Sequence, residues 1–282
     1  MLLPTDAEEV INIVGKFSDK SSFGCDLIPF DIVKKSIKSI APLMAAVVNC
    51  SFRNGSFPDE LKIAKVCPIF KNGSTNLFSN YRPISLLPSF SKIFEKLMYC
   101  RLDSYITSKN ILTSSQYGFR QKHSTYMALL DMYNKLSSAI DNRDFAIGIF
   151  IDLSKAFDTI NHKILLSKLQ YYGIRGVPLL WFDSYLTNRK QYVYYNNVSS
   201  SKSDIKCGVP QGSILGPLLF LLYINDIVKS SSILQFIIFA DDTNLFFSSK
   251  NFIDLARTVN AELVKLSDWF CANKLSLNVK KN

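Results

Sequence analysis

Apolar runs that end in acid constrain this chain more than any other feature. Phe145 to Ile151 is almost entirely apolar and stops at Asp152, while Leu234 to Ala240 and Thr243 to Phe247 are separated only by Asp241 and Asp242. A short apolar run bounded by turn-forming residues reads as a buried strand, and two such runs joined by two residues read as a hairpin. Neighbouring strands would then bring three carboxylates from remote stretches to one edge of a sheet. Like charges repel unless divalent cations neutralise them, and hard oxygen donors are what Mg2+ selects. Two such ions, about 3.5 to 4 Å apart, activate a hydroxyl nucleophile and stabilise a departing phosphate oxygen. Taken alone, Asp241 and Asp242 read better as ordinary turn residues, since Asp bonds its own backbone in tight turns. The second Asp behind another apolar strand shifts the balance towards phosphoryl transfer.

The rest of the composition is consistent with a large packed globule. The 282 residues are 48% hydrophobic and 13% aromatic, which excludes a disordered chain and exceeds the roughly 100 to 200 residues of a typical domain. No repeat or long Gly, Ser or Pro linker divides the chain, so interwoven lobes are expected. The 33 Lys and Arg against 23 Asp and Glu leave a charge of +10, which suits a phosphate-bearing partner, although a merely soluble basic surface accounts for it equally well and an anionic membrane surface is a third option. Six cysteines without a CxxC pair, and only His123 and His162 beside them, argue against structural zinc and for reduced thiols serving as small core residues. The start, MLLPTDAEEV, lacks the pattern of a signal peptide. The longest apolar run, Ile214 to Ile224, contains Gly216 and Pro217 and falls short of the roughly 20 residues needed to span a bilayer. No membrane role is expected.

Periodicity divides the chain further. Ala7 to about Phe52 reads as mainly helical; Ala64 to Phe70 and Tyr81 to Leu87 read as a hairpin with the polar tip KNGSTNLFSN. Helical patterns follow over Ser89 to Ile106 and Ser124 to Ile140, and a third from about Asn161, which Gly173 stops. Further helices are expected over Pro217 to Val228 and Phe252 to Ala272, with Leu275 to Val279 as a last strand.

The segments IDLSKAFDTINHKILLSKL, GVPQGSILGPLLFLLYINDI and FADDTNLF resemble successive core motifs of the reverse transcriptases of LINE-type, jockey-like non-LTR retrotransposons. KIAKVCPIFKNG, NYRPISLLPSFSKIFEKLM, SQYGFRQKHST and GCDLIP are similar to earlier segments of the same family, so the resemblance covers nearly the whole chain. A lone FADD would be weak, whereas seven motifs in order are specific. The resemblance implies an α+β, right-hand polymerase fold of fingers and palm, with an antiparallel palm sheet backed by helices and the thumb absent. Residues 1–58 would be a helical extension of the fingers, 59–144 fingers with an interwoven palm helix, and 145–282 the palm.

It also implies roles for particular residues. Asp152 and Asp241 would bind two Mg2+ ions, Mn2+ being an alternative, and Asp242 would support them; Asp158 reads instead as capping the next helix. Phe157 would lie beneath the incoming sugar and block a 2′-hydroxyl, although a Phe is more often simply core. Gln211 would hydrogen-bond nucleotide or template, while Gly208, Pro210 and Gly212 allow close backbone approach. Lys71 and Arg82, with Lys65 beside them, would clamp the triphosphate, and Arg120 would face the template. Arg189 and Lys190 are candidates for contact with nucleic-acid backbone or water, and Lys281 for protonating pyrophosphate. The implied partners are an RNA template, a DNA primer and dNTPs in the nucleus and cytoplasm, with the oligomeric state unspecified. Two other readings fit parts of the pattern: a catalytically inactive remnant that only binds nucleic acid, and a palm-type polymerase making RNA, against which Phe157 speaks.

Overall fold

The computed structural model describes residues 2–18 and 22–278. In chain order the elements are α1 (Ala7–Gly15), α2 (Phe30–Asn54), β1 (Ile63–Phe70), β2 (Tyr81–Leu86), α3 (Ser89–Ser108), α4 (Thr125–Asp141), β3 (Phe145–Ile151), α5 (His162–Tyr171), α6 (Val177–Leu186), β4 (Lys190–Tyr195), β5 (Val198–Ser199), β6 (Ser203–Asp204), α7 (Leu215–Ile224), β7 (Gln235–Phe239), β8 (Asp242–Ser249) and α8 (Phe252–Ala272). Helix starts follow from local chemistry. Asp6, Ser124 and Asn251 each accept from a backbone N–H of the following first turn, satisfying donors that have no partner within the helix. Helix α2 ends at Gly55, whose φ of 62° lies in the left-handed region that glycine enters without a Cβ penalty.

The chain forms two compact units, each assembled from two stretches: residues 1–109 with 165–216, and residues 110–164 with 217–282. The first unit holds a five-stranded sheet in which β2, β1, β4 and β5 are successive neighbours and β6 also pairs with β4. β1 and β2 form an antiparallel hairpin, while β4 lies parallel to β1. Its helices pack through an aromatic cluster. The rings of Trp181 and Tyr185 are stacked at 5.6 Å, Phe57 meets both edge-on, and the Trp181 indole N–H donates to Ser51 Oγ at 2.9 Å. Burial of the aromatic bodies stabilises the cluster, and the Trp181 N–H is satisfied within it.

The second unit is built on a three-stranded antiparallel sheet in the order β3-β8-β7, contacted by α4 and α8. β3 differs from the buried strand that its apolar run suggests. It is an edge strand with no buried residue, and Phe145 and Phe150 are 52% and 67% exposed. An edge strand has one neighbour, so apolar composition alone does not bury it.

Other boundaries also depart from the periodicity. α7 stops at Ile224 and continues as 3-10 helix over Asn225–Ser230. Near the C-terminus only an isolated bridge, Leu153 to Leu277, stands among the described residues where a strand was expected; Val279 lies outside them. Asn161 caps the start of α5, its Oδ1 accepting from Ile164 N at 3.1 Å. All six thiols are free, but Cys25, Cys67 and Cys100 are half-buried and Cys50, Cys207 and Cys271 exposed, so they are not core residues. No helix of the described residues is long and apolar enough to cross a membrane.

Candidate active site

The sheet of the second unit carries three acids at one end. β3 pairs with β8 from Phe145↔Ser249 to Ile151↔Thr243, so Asp152 follows the last paired residue of β3 just as Asp242 precedes its partner on β8. β7 pairs with β8 up to Phe239↔Asp242, which leaves Ala240 and Asp241 as the two turn residues. The turn thus falls one residue earlier than Asp241–Asp242. Asp152 and Asp241 are half-buried and Asp242 is exposed.

Two segments brace this end. Asn278 Nδ2 donates to Asp152 Oδ2 at 2.8 Å, and Asn278 N donates to the Asp152 carbonyl at 2.9 Å, so one residue holds both the side chain and the backbone of Asp152. Residues 115–118 run along the other edge, where Ile238 N donates to Ser115 O and Tyr117 N to Ile238 O, both at 2.8 Å. Neither Asn278 nor Gln116 stands out in the sequence, because an amide side chain declares its role only through a remote partner.

Phe157 is half-buried between two rings, with centroids 4.7 Å away at Phe220 and 6.2 Å away at Phe119. Arg120, also half-buried, directs Nη1 to the carbonyls of Thr113 and Gln116 at 2.8 and 3.1 Å. That part of its guanidinium secures the loop.

Among the described residues, no group of three or more His, Cys, Asp or Glu side chains stands ready to enclose a metal ion. Mg2+ keeps several waters and takes one or two carboxylates together with substrate phosphates, so a cage made only of protein is not required. Hard-oxygen donors gathered at one sheet end, two of them half-buried, fit such an open site. Lys281 lies outside the described residues.

The remaining candidates belong to the first unit. Lys71 and Arg82 are both exposed on the β1–β2 hairpin, where Arg82 pairs with Ile69. The turn holding Gly208, Pro210, Gln211 and Gly212 packs on the same hairpin: Ser85 N donates to Gln211 O at 2.7 Å, and a Cβ on Gly212, whose φ is +117°, would lie 2.7 Å from Ser85 O. Glycine is required there on both counts. Glu95, fully buried on α3, anchors the far side of this turn by accepting from the N–H groups of Ile214 and Leu215 at 2.6 and 3.3 Å. Burial pushes its carboxyl up, opposed by Arg189, by those two N–H groups and by the Ser91 hydroxyl.

Two of the cations singled out in the sequence are enclosed. Lys65 is 7% exposed, with its ammonium 3.9 Å from the Tyr194 ring centre and 4.7 Å from that of Phe23. Arg189 is fully buried and donates Nη1 to Tyr185 O at 3.0 Å, so it reaches neither solvent nor a nucleic-acid backbone. Its neighbour Lys190 is exposed.

Comparison with known proteins shows the family. The reverse transcriptase (RNA-dependent DNA polymerase) family matches residues 69–282. The chain belongs to this family. Among curated relatives of the reverse transcriptase chain, a protein described as a probable RNA-directed DNA polymerase from transposon BS of Drosophila melanogaster is 31% identical over 99% of the chain and 32% of the relative. The RNA-directed DNA polymerase from mobile element jockey of the same species is 30% identical over 100% of the chain and 32% of the relative. The chain therefore spans about a third of the length of the curated relatives it matches.

Proposed function

We propose that this reverse transcriptase chain adds deoxynucleotides to a primer 3′-hydroxyl on an RNA template, releasing pyrophosphate, as part of a non-LTR retrotransposon. The observation that carries the reading is the β3–β8 register, which sets Asp152 at the same sheet end as Asp241 and Asp242 in a chain whose relatives are RNA-directed DNA polymerases. In the right-hand description, residues 59–144 supply fingers and residues 145–282 the palm, after an N-terminal helical extension.

Asp152 and Asp241 would hold two Mg2+ ions, with Mn2+ as a substitute and Asp242 in support. Held by these carboxylates, such ions would supply a lowered pKa for the attacking hydroxyl and neutralisation of charge on the phosphate oxygens. Asn278 keeps the Asp152 carboxylate aimed. Lys71 and Arg82, exposed on their hairpin, neutralise the triphosphate. Phe157 closes the floor under the sugar against a 2′-hydroxyl. Gln211 offers its amide to the nucleotide, while Gly208, Pro210 and Gly212 let template or primer backbone approach. Arg120 faces the template with the donors its loop does not use, Lys281 is the candidate acid for pyrophosphate, and Lys65 assists from within the hairpin.

Primer extension on an RNA template with Mg2+ tests the reading. Asp241→Asn should lower the rate at least about 100-fold, each ~1.4 kcal/mol of lost transition-state stabilisation being tenfold. Equal extension by wild type and variant would remove the catalytic assignment.

A further inference from the structure

The turn carrying Asp241 is held in a conformation that its own sequence does not favour. Ala240, the first of its two residues, has φ +56°. The tight hairpin turns favoured between twisted strands need a positive φ at this position and ordinarily take Gly, Asn or Asp there. Alanine has no side chain able to stabilise that geometry locally, so the support must come from elsewhere.

It comes from Gln116, a side chain 2% exposed. Its Oε1 accepts from Ala240 N at 2.9 Å and from Gly118 N at 2.7 Å, and its Nε2 donates to Ala240 O at 3.4 Å. One amide thus engages both polar backbone groups of the residue immediately before Asp241. Gly118 completes the fit: a Cβ there would lie 2.2 Å from Ala240 N, so only glycine lets the two backbones meet. The same segment leads directly into Phe119, whose ring abuts Phe157.

We propose that Gln116 is a positioning residue for the metal-binding carboxylate of Asp241, clamping the Ala240 peptide groups in the left-handed conformation that aims the following side chain. The inference rests on the reading of Asp241 as a metal ligand. Gln116 touches neither metal nor substrate. It acts as the outer partners of metal ligands do, by fixing the direction from which the ligand approaches, and loss of such partners typically weakens metal affinity 10- to 100-fold.

The test measures Mn2+ binding by electron paramagnetic resonance, using the full chain with a primer–template ended by a dideoxynucleotide and the next dNTP. Gln116→Met keeps the volume and removes all three hydrogen bonds. It should raise the Mn2+ concentration for half-saturation about tenfold or more and lower kcat, while KM for dNTP stays within about twofold of wild type. Amide hydrogen exchange across residues 236–241 should quicken with no comparable change across α8. If Gln116→Met does not fold, Gln116→Asn, one methylene shorter with the same amide, gives the same readout. Wild-type Mn2+ affinity in a folded Gln116 variant, alongside lost affinity in Asp241→Asn, overturns the clamp and leaves the site standing. Wild-type affinity in Asp241→Asn overturns the site reading itself, and the clamp with it.

Discussion

Under the proposed function, packing would turn Phe157 from a common residue into a selective one. With Phe220 and Phe119 against its ring, it has little freedom to swing away from an added hydroxyl. Phe157→Val should therefore raise ribonucleotide use relative to deoxynucleotide about tenfold or more, on the scale of one pocket contact worth ~1–3 kcal/mol. Competing rNTP and dNTP in primer extension gives the ratio; an unchanged ratio removes the sugar-gate role. The three acids are legible in the sequence because an Asp that ends an apolar run is chemically conspicuous. Gln116 is not, since its partner Ala240 lies 124 positions away and a polar residue beside Tyr117 and Gly118 looks like any loop amide. Arg189 misleads in the opposite direction: flanked by Asn188 and Lys190 it reads as a surface cation, yet the fold encloses it completely.

A cation of α3 ties helix α1 and the residues before it in place. Arg101, 9% exposed, donates to both Glu9 oxygens at 2.9 and 2.8 Å and to the carbonyls of Leu3 and Pro4 at 2.7 and 3.1 Å. The Arg101 guanidinium holds the Glu9 carboxyl below its ordinary value, against burial, with the Thr5 hydroxyl helping. The folded state therefore takes up this proton at a lower pH than the unfolded chain does. The stabilisation is present above the unfolded value near ~4.3 and is lost as pH falls through the folded value. Because Glu9 is partly solvated, it amounts to about 1 kcal/mol, and Glu9→Gln should abolish that share of the pH dependence. Urea unfolding of both proteins between pH 7 and pH 3 checks it: the curves should lie furthest apart at neutral pH and converge in acid, and parallel curves would refute the coupling. At this scale the hairpin β1–β2 and helices α3, α4 and α8 follow patterns visible in the sequence, because each shows a clean periodicity between turn residues. β4 does not: KQYVYY carries no apolar alternation marking it as the parallel neighbour of β1. The edge position of β3 is equally invisible, since strand order is a property of the whole sheet.

Over the whole molecule the charge of +10 should govern nucleic-acid affinity. Binding of an RNA–DNA duplex is expected to weaken at least about tenfold between ~50 and ~200 mM monovalent salt, through counterion release. Fluorescence anisotropy of a labelled duplex measures this, and affinity independent of salt would contradict a phosphate-led grip. The motifs disclose chemistry and family, but not that residues 165–216 pack with 1–109 while 217–282 return to 110–164; that excursion is set by long-range burial, which no local pattern records. It has a consequence for biosynthesis. β3 leaves the ribosome roughly 100 residues before β8, its sheet partner among the described residues, is finished, a delay of about 5 to 20 s at ordinary elongation rates. Throughout that interval Phe145, Ile147, Ile149 and Phe150 form a sticky nascent ribbon without β8 to pair with, so the yield of correctly folded chain should depend on chaperone capture of this segment and on codon speed across the intervening stretch.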